Sequence, residues 1–171
     1  MGLTRTAFPL ALAALFAAAT PGLAAAASTQ RFIVQLASGL CGANNPANDS
    51  SLRRLPSGLK NAGSSNVSVV CSQWGDDFAT APAYTAYVYF RNDRSGSYKV
   101  TCTLTMGTPN YSQVASTQTI TIAAGATGHL QWTTADYGSD NNMQWVNLQC
   151  SVPPAFSMRE VGFGFEQEIG A

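Results

Sequence analysis

Ser97-Tyr98-Lys99-Val100-Thr101-Cys102-Thr103-Leu104-Thr105-Met106 is the stretch whose reading decides the fold. Tyr98, Val100, Cys102, Leu104 and Met106 fall on one side of a period-2 ribbon, and Lys99, Thr101, Thr103 and Thr105 fall on the other. Side chains alternate across a strand, so the stretch reads as a half-buried β-strand with a cysteine in its buried face. The same alternation recurs downstream. Val146, Leu148, Cys150 and Val152 point inward, while Trp145, Asn147 and Gln149 point outward.

Working outward, Phe32–Leu36 reads as a first short strand, and Asn44–Ser50 as a loop of turn formers. Leu52, Leu55 and Leu59 are placed over one edge of the core, and Pro56 and Gly58 prevent a long helix there. Further strands are expected at 66–73, 84–91, 117–122, 130–133 and 161–165. Asn92-Asp93-Arg94-Ser95-Gly96 reads as a hairpin into the organising strand. Tyr84–Arg91 carries bulk on both faces, which predicts a central strand or one with a covered or used outer face. Pro153-Pro154 ends the penultimate strand, since proline cannot donate to a ladder. Seven or eight short strands without a convincing helix predict an all-β chain, a single antiparallel sandwich of jelly-roll or immunoglobulin-like type.

The first residues carry Arg5, then an apolar Pro9–Thr20 run, a Pro21-Gly22 break and small residues through Ala27. That order is a secretory signal peptide over 1–27, leaving 28–171 as one domain that is secreted or periplasmic. The apolar run is too short for the roughly 20 residues of a membrane span. Cys41, Cys71, Cys102 and Cys150 all lie in the exported part, and an even number there reads as two disulfides. Four cysteines allow three pairings, of which Cys102–Cys150 with Cys41–Cys71 is favoured because Cys102 and Cys150 are both mid-strand and inward. No two cysteines lie within five residues of each other, which argues against zinc.

The chain has 9 basic and 9 acidic residues, with no like-charged block. Nucleic acid and anionic membrane surfaces need clustered cations, so neither is expected as a partner.

The order Gly58-Leu59-Lys60-Asn61, Val69-Val70-Cys71 and Tyr98–Leu104 resembles small secreted bacterial β-sandwich proteins of unassigned function. So does the finish, Leu148-Gln149-Cys150-Ser151-Val152-Pro153 and Val161–Glu166. The resemblance spans about residues 55–171 and departs at Ser72, where a proline often follows the first strand cysteine. It implies the fold and export, and it transfers no catalytic residue.

His129 is the single histidine, on the polar side of its strand, and no Gly-x-Ser-x-Gly elbow accompanies it. Asp76-Asp77 and Glu166/Glu168 are the close acidic pairs, and they read as solvated charges rather than a glycosidase couple. Asp136, Asp140, Asn141 and Asn142 do not match an EF-hand spacing and read as turn chemistry. Asn48, Asn66 and Asn110 head Asn-x-Ser triplets, which matter in a eukaryotic secretory route. No metal or cofactor is expected, and the chain reads as non-enzymatic: a structural or interaction module, with an envelope protein as one partner class. The alternative is carbohydrate binding through Trp145, Asn147 and Gln149, or through Tyr87 and Tyr89, because sugar rings stack on aromatics while amides fix hydroxyls. A small hydrolase is the least favoured reading.

Overall fold

A computed structural model of the chain describes residues 28–74, 83–107, 114–137 and 145–169. Among the described residues, eleven strands form two antiparallel sheets. They are β1 (Ser28–Leu36), β2 (Cys41–Ala43), β3 (Leu52–Leu55), β4 (Gly58–Asn61), β5 (Val67–Trp74) and β6 (Ala83–Asn92). After these come β7 (Tyr98–Gly107), β8 (Val114–Ile122), β9 (Thr127–Thr133), β10 (Trp145–Val152) and β11 (Phe156–Glu168). One-turn helices α1 (Ala37–Leu40) and α2 (Thr134–Tyr137) and a 3-10 segment at Pro46–Ser51 connect some of them.

The first sheet runs β3-β4-β11-β6-β9, with β1 lying on the β4 side of β11; the second runs β2-β5-β10-β7-β8. From β4 onward the chain crosses between sheets at every connection except the β7–β8 hairpin, which is the jelly-roll pattern. The immunoglobulin-like alternative is set aside by this strand order. The alternation reading of β7 holds for Val100, Cys102, Leu104 and Met106, all essentially buried. Tyr98 departs from it: at the strand's start it is 36% exposed, its ring beneath the Arg94 guanidinium at 3.9 Å and edge-on to Phe156.

One expectation about connections is corrected, and one is refined. Residues 92–96 do not make a hairpin, because β6 belongs to the first sheet and β7 to the second. Leu59 is in the core and Leu52 packs against it, as expected, but the 52–61 region does so as a strand pair, β3 and β4, in which Gly58 holds φ at 136°. A Cβ there would run into the Met158 carbonyl, so the close passage of β4 along β11 requires glycine.

The core lies between Val88, Phe90, Trp132, Met158, Val161 and Phe163 of the first sheet and Val69, Val100, Leu104, Val146 and Leu148 of the second. Trp132 is fully buried, and its indole N–H donates to the Ser116 carbonyl at 3.2 Å, joining β9 to β8 across the sheets.

Both disulfides pair as expected, Cys41–Cys71 and Cys102–Cys150, with Cα atoms 4.1 Å apart in each. Each links directly opposed residues on neighbouring strands of the second sheet. They brace one layer and do not tie the two sheets together.

The first sheet has amide clamps instead. Asn61 and Asn92 are fully buried at the ends of β4 and β6, where the chain leaves for the other sheet. Asn61 donates to the Ser65 and Val152 carbonyls and accepts from the Gly63 N–H, each at 2.9 Å. Asn92 donates to the carbonyls of Gly96, Ile122 and Ala123 at 2.8–3.1 Å and accepts from the Arg94 N–H. Each side chain therefore closes its own loop and catches the end of a second-sheet strand, satisfying backbone groups that would otherwise be stranded in the interior.

Candidate functional site

The strand register puts the two proposed binding clusters on opposite sides of the molecule. Tyr87 and Tyr89 lie on the outer face of the first sheet, whereas Asn147 and Gln149 lie on the outer face of the second. They cannot form one site.

On the first sheet, alternation along β6 sends Ala86, Val88 and Phe90 into the core and Tyr87, Tyr89 and Arg91 outward. The register with β9 sets Tyr87 opposite Gln131 and Tyr89 opposite His129. Tyr89 stacks on His129 with centroids 4.9 Å apart and planes at 29°, and Tyr87 meets Tyr89 edge-on at 5.5 Å. His129 is exposed and thus part of a ring array, a role that its polar-side position alone did not show.

On the other side of β6, Gly162 of β11 is opposite Tyr87, and a Cβ on Gly162 would collide with the Tyr87 ring. The tyrosine therefore lies across β11 over a position that must be without a side chain. Burial, the nearby Glu160 carboxylate and Tyr89 push the Tyr87 phenol above its ordinary pKa, keeping it a neutral hydrogen-bond donor. Two residues, Arg159 and Glu160, oppose the single residue Tyr89 in a β-bulge, which brings that charge to the end of the ring array. Beyond Gly162 and Gly164, the same face continues onto β1 as Val34 and Phe32.

The second sheet offers hydroxyls instead of rings. Thr101–Thr119 and Thr103–Thr117 are cross-strand hydroxyl pairs at 2.8 Å, and Gln149 donates to Ser68 at 3.0 Å. Asn147 is half-buried, and its Oδ1 is buried without a hydrogen-bond partner, so it does not present its acceptor to solvent. The Trp145 backbone pairs with Trp74 and Gly107. Its side chain lies outside the described residues, as do those of Tyr84, Glu166 and Glu168.

The acidic and calcium readings meet the following placements. Asp136 accepts from the Thr133 N–H at 2.8 Å and from the Thr133 hydroxyl and Gln118, which commits it to the β9–α2 turn. Asp140, Asn141, Asn142, Asp76, Asp77, Asn110 and Tyr111 lie outside the described residues. Among the described residues no group of three His, Cys, Asp or Glu could hold a metal ion. No helix of the described residues is long and apolar enough to cross a membrane. Asn48 and Asn66 are exposed.

Among the described residues, two ion pairs gather at the β6–β7 crossover. Asp93 binds Lys60 and Arg91, each at 2.9 Å. The Lys60 hydrogen bond above all, supported by Arg91, holds the Asp93 carboxyl below the usual range against a smaller opposing effect of burial.

No protein-family model matches the chain, and no curated protein does. Among solved structures it is similar to TmCBM61 in complex with beta-1,4-galactotriose, at 8% identity and TM-score 0.37, over 80% of this chain and 88% of that one. Tobacco streak virus coat protein gives 8% identity and TM-score 0.38, covering 82% and 87%. The family 11 carbohydrate-binding module from Clostridium thermocellum, in complex with a beta-1,3-1,4-mixed-linked tetrasaccharide, gives 9% and 0.35, covering 85% and 88%. Likenesses this distant carry no argument about what this chain binds. On its own geometry it is a small all-β protein of two antiparallel sheets with two disulfides, one face aromatic and the other hydroxyl-rich.

Proposed function

We propose that this chain is an exported, non-enzymatic binding module whose ligand surface, for carbohydrate, is the outer face of β6 and β9. The leader-like residues 1–27 and the two disulfides support a secreted or periplasmic product, since disulfides persist in oxidising compartments. The likeness of its strand motifs to small secreted bacterial β-sandwich proteins supports export. The observation that carries the ligand assignment is the Tyr87–Tyr89–His129 array with Gln131 at its margin. Apolar faces of sugar rings pack on aromatic rings, while an amide supplies both a donor and an acceptor to the hydroxyls. Tyr87 and Tyr89 stand at 83° to each other, so the array is angled rather than a flat platform, and it suits a bent or terminal sugar unit. The histidine is engaged by a tyrosine ring and the Asp136 carboxylate by a turn, which favours binding over hydrolysis.

A glycan array with wild type, Tyr89→Ala and Trp145→Ala tests the assignment. Binding abolished by Tyr89→Ala and retained by Trp145→Ala is the expected result. The reverse pattern would move the site to the second sheet, and silence on every glycan would retire the carbohydrate reading. Shortening of a bound glycan during incubation would overturn the non-enzymatic half.

A further inference from the structure

Alternation along β6 and β9 arranges part of the first sheet's outer face in rows. Tyr89 is opposite His129, Tyr87 opposite Gln131, and Thr85 opposite Thr133. Gln131 therefore follows His129 on one face of β9 and is the diagonal neighbour of Thr85 across the strand pair. That diagonal is bridged. The Gln131 amide nitrogen Nε2 donates to the Thr85 hydroxyl at 3.2 Å, and the hydroxyl donates to the Trp132 carbonyl at 3.1 Å. Thr85 is 6% exposed, whereas Gln131 is open to solvent.

A hydroxyl carries one proton. That of Thr85 is committed to the Trp132 carbonyl, so toward Gln131 its oxygen only accepts. An amide turned the other way would set Oε1 against the Thr85 lone pairs, at a buried point where water has little access to intervene. The Gln131 side chain is consequently held in one orientation, with an N–H toward Thr85 and Oε1 turned away from it.

We infer that Thr85 is a positioning residue that fixes Oε1 of Gln131 as a hydrogen-bond acceptor beside Tyr87, so that this surface selects a neutral sugar unit with a free hydroxyl at that point. The inference rests on the carbohydrate reading of the Tyr87–Tyr89–His129 array. A sugar hydroxyl gives its proton to Oε1. A methyl ether, a carboxylate or a sulfate at the same position has acceptors alone and meets the amide oxygen with no proton to give. Packing on the rings is indifferent to that exchange, because the apolar face of the sugar makes it. Affinity thus comes from the rings, and the choice among substituents comes from the amide.

NMR titrations of the exported chain with the methyl glycosides of glucose, galactose and mannose test this, extended to the mono-O-methyl derivatives of each glycoside that shifts the Tyr89 signals. Thr85→Val keeps the shape and removes the hydroxyl, Thr85→Ser keeps the hydroxyl, and Gln131→Met removes the amide at an exposed position. Circular dichroism melting checks that each variant folds. In wild type and Thr85→Ser, one mono-O-methyl derivative is expected to bind about tenfold more weakly than its parent. In Thr85→Val and Gln131→Met that ratio is expected to fall toward one while the Tyr89 signals still shift. A ratio unchanged in Gln131→Met or in folded Thr85→Val, or a wild type blind to every O-methyl derivative, would overturn the inference and leave the carbohydrate surface standing. No shift at Tyr89 with any glycoside would take down both.

Discussion

The two sheets are held by different chemistry. The second has two disulfides across adjacent strands, and its outer face is locked by threonine hydroxyl pairs. The first has no disulfide, relies on Asn61 and Asn92 at its crossovers, and carries the ring array, the β-bulge and the apolar edge. The contrast teaches where this small domain places its rigidity. A covalently braced layer gives the core a stiff wall, and the layer built from replaceable noncovalent contacts carries the exposed ring array.

The largest expected effect comes from the braced layer. The Cys102→Ala/Cys150→Ala double variant removes a link spanning 48 residues, worth about 4 kcal/mol by chain entropy, and urea unfolding should show a loss of that order. A loss under about 1 kcal/mol would mean that the hydroxyl-paired sheet stands without its sulfurs.

Asn92→Ala sharpens the other side of the comparison. It leaves three carbonyls and the Arg94 N–H without their side-chain partner, and should cost roughly 2–4 kcal/mol in the same unfolding experiment. Asn61, with two carbonyl acceptors, should cost less when truncated. If both asparagines tolerate alanine, the first sheet is held by its core alone.

The smallest effect is electrostatic. The folded carboxyl of Asp93 is held below its unfolded value of ~3.9, so its contribution to stability is present above that value and is lost as pH falls through the folded pKa. Because the pair is partly exposed, Asp93→Asn should cost under about 1 kcal/mol at neutral pH and nothing near pH 2. Urea titrations of both proteins across that window measure it; an equal cost at both ends would assign the effect to packing around the Ser157 hydroxyl, 3.4 Å away, rather than to charge.

Period-2 alternation revealed β5 through β11 because each of those strands has one face in the core, and the pairing of Cys102 with Cys150 followed from their matching inward positions. The short β2, β3 and β4 lacked the length for alternation to register. The turn at 92–96 was misread for a different reason. Asn, Asp and Gly bend a chain equally well into a hairpin or a crossover, and the choice depends on β11, some seventy residues later, already lying beside β6. Tyr87 and Tyr89 were legible as outward residues; His129 joined them through strand pairing, which no local pattern encodes. Likewise, nothing local could say that Asn147 and Gln149 lie on the layer opposite the two tyrosines.

Gly162 has a consequence for how such a surface changes. It is a core-strand position whose empty side faces the ring array, so a one-base change from glycine to alanine would evict the Tyr87 ring without enlarging or filling the interior. The shape of this aromatic surface is thereby open to revision at a single codon, on a scaffold whose foldability is decided elsewhere.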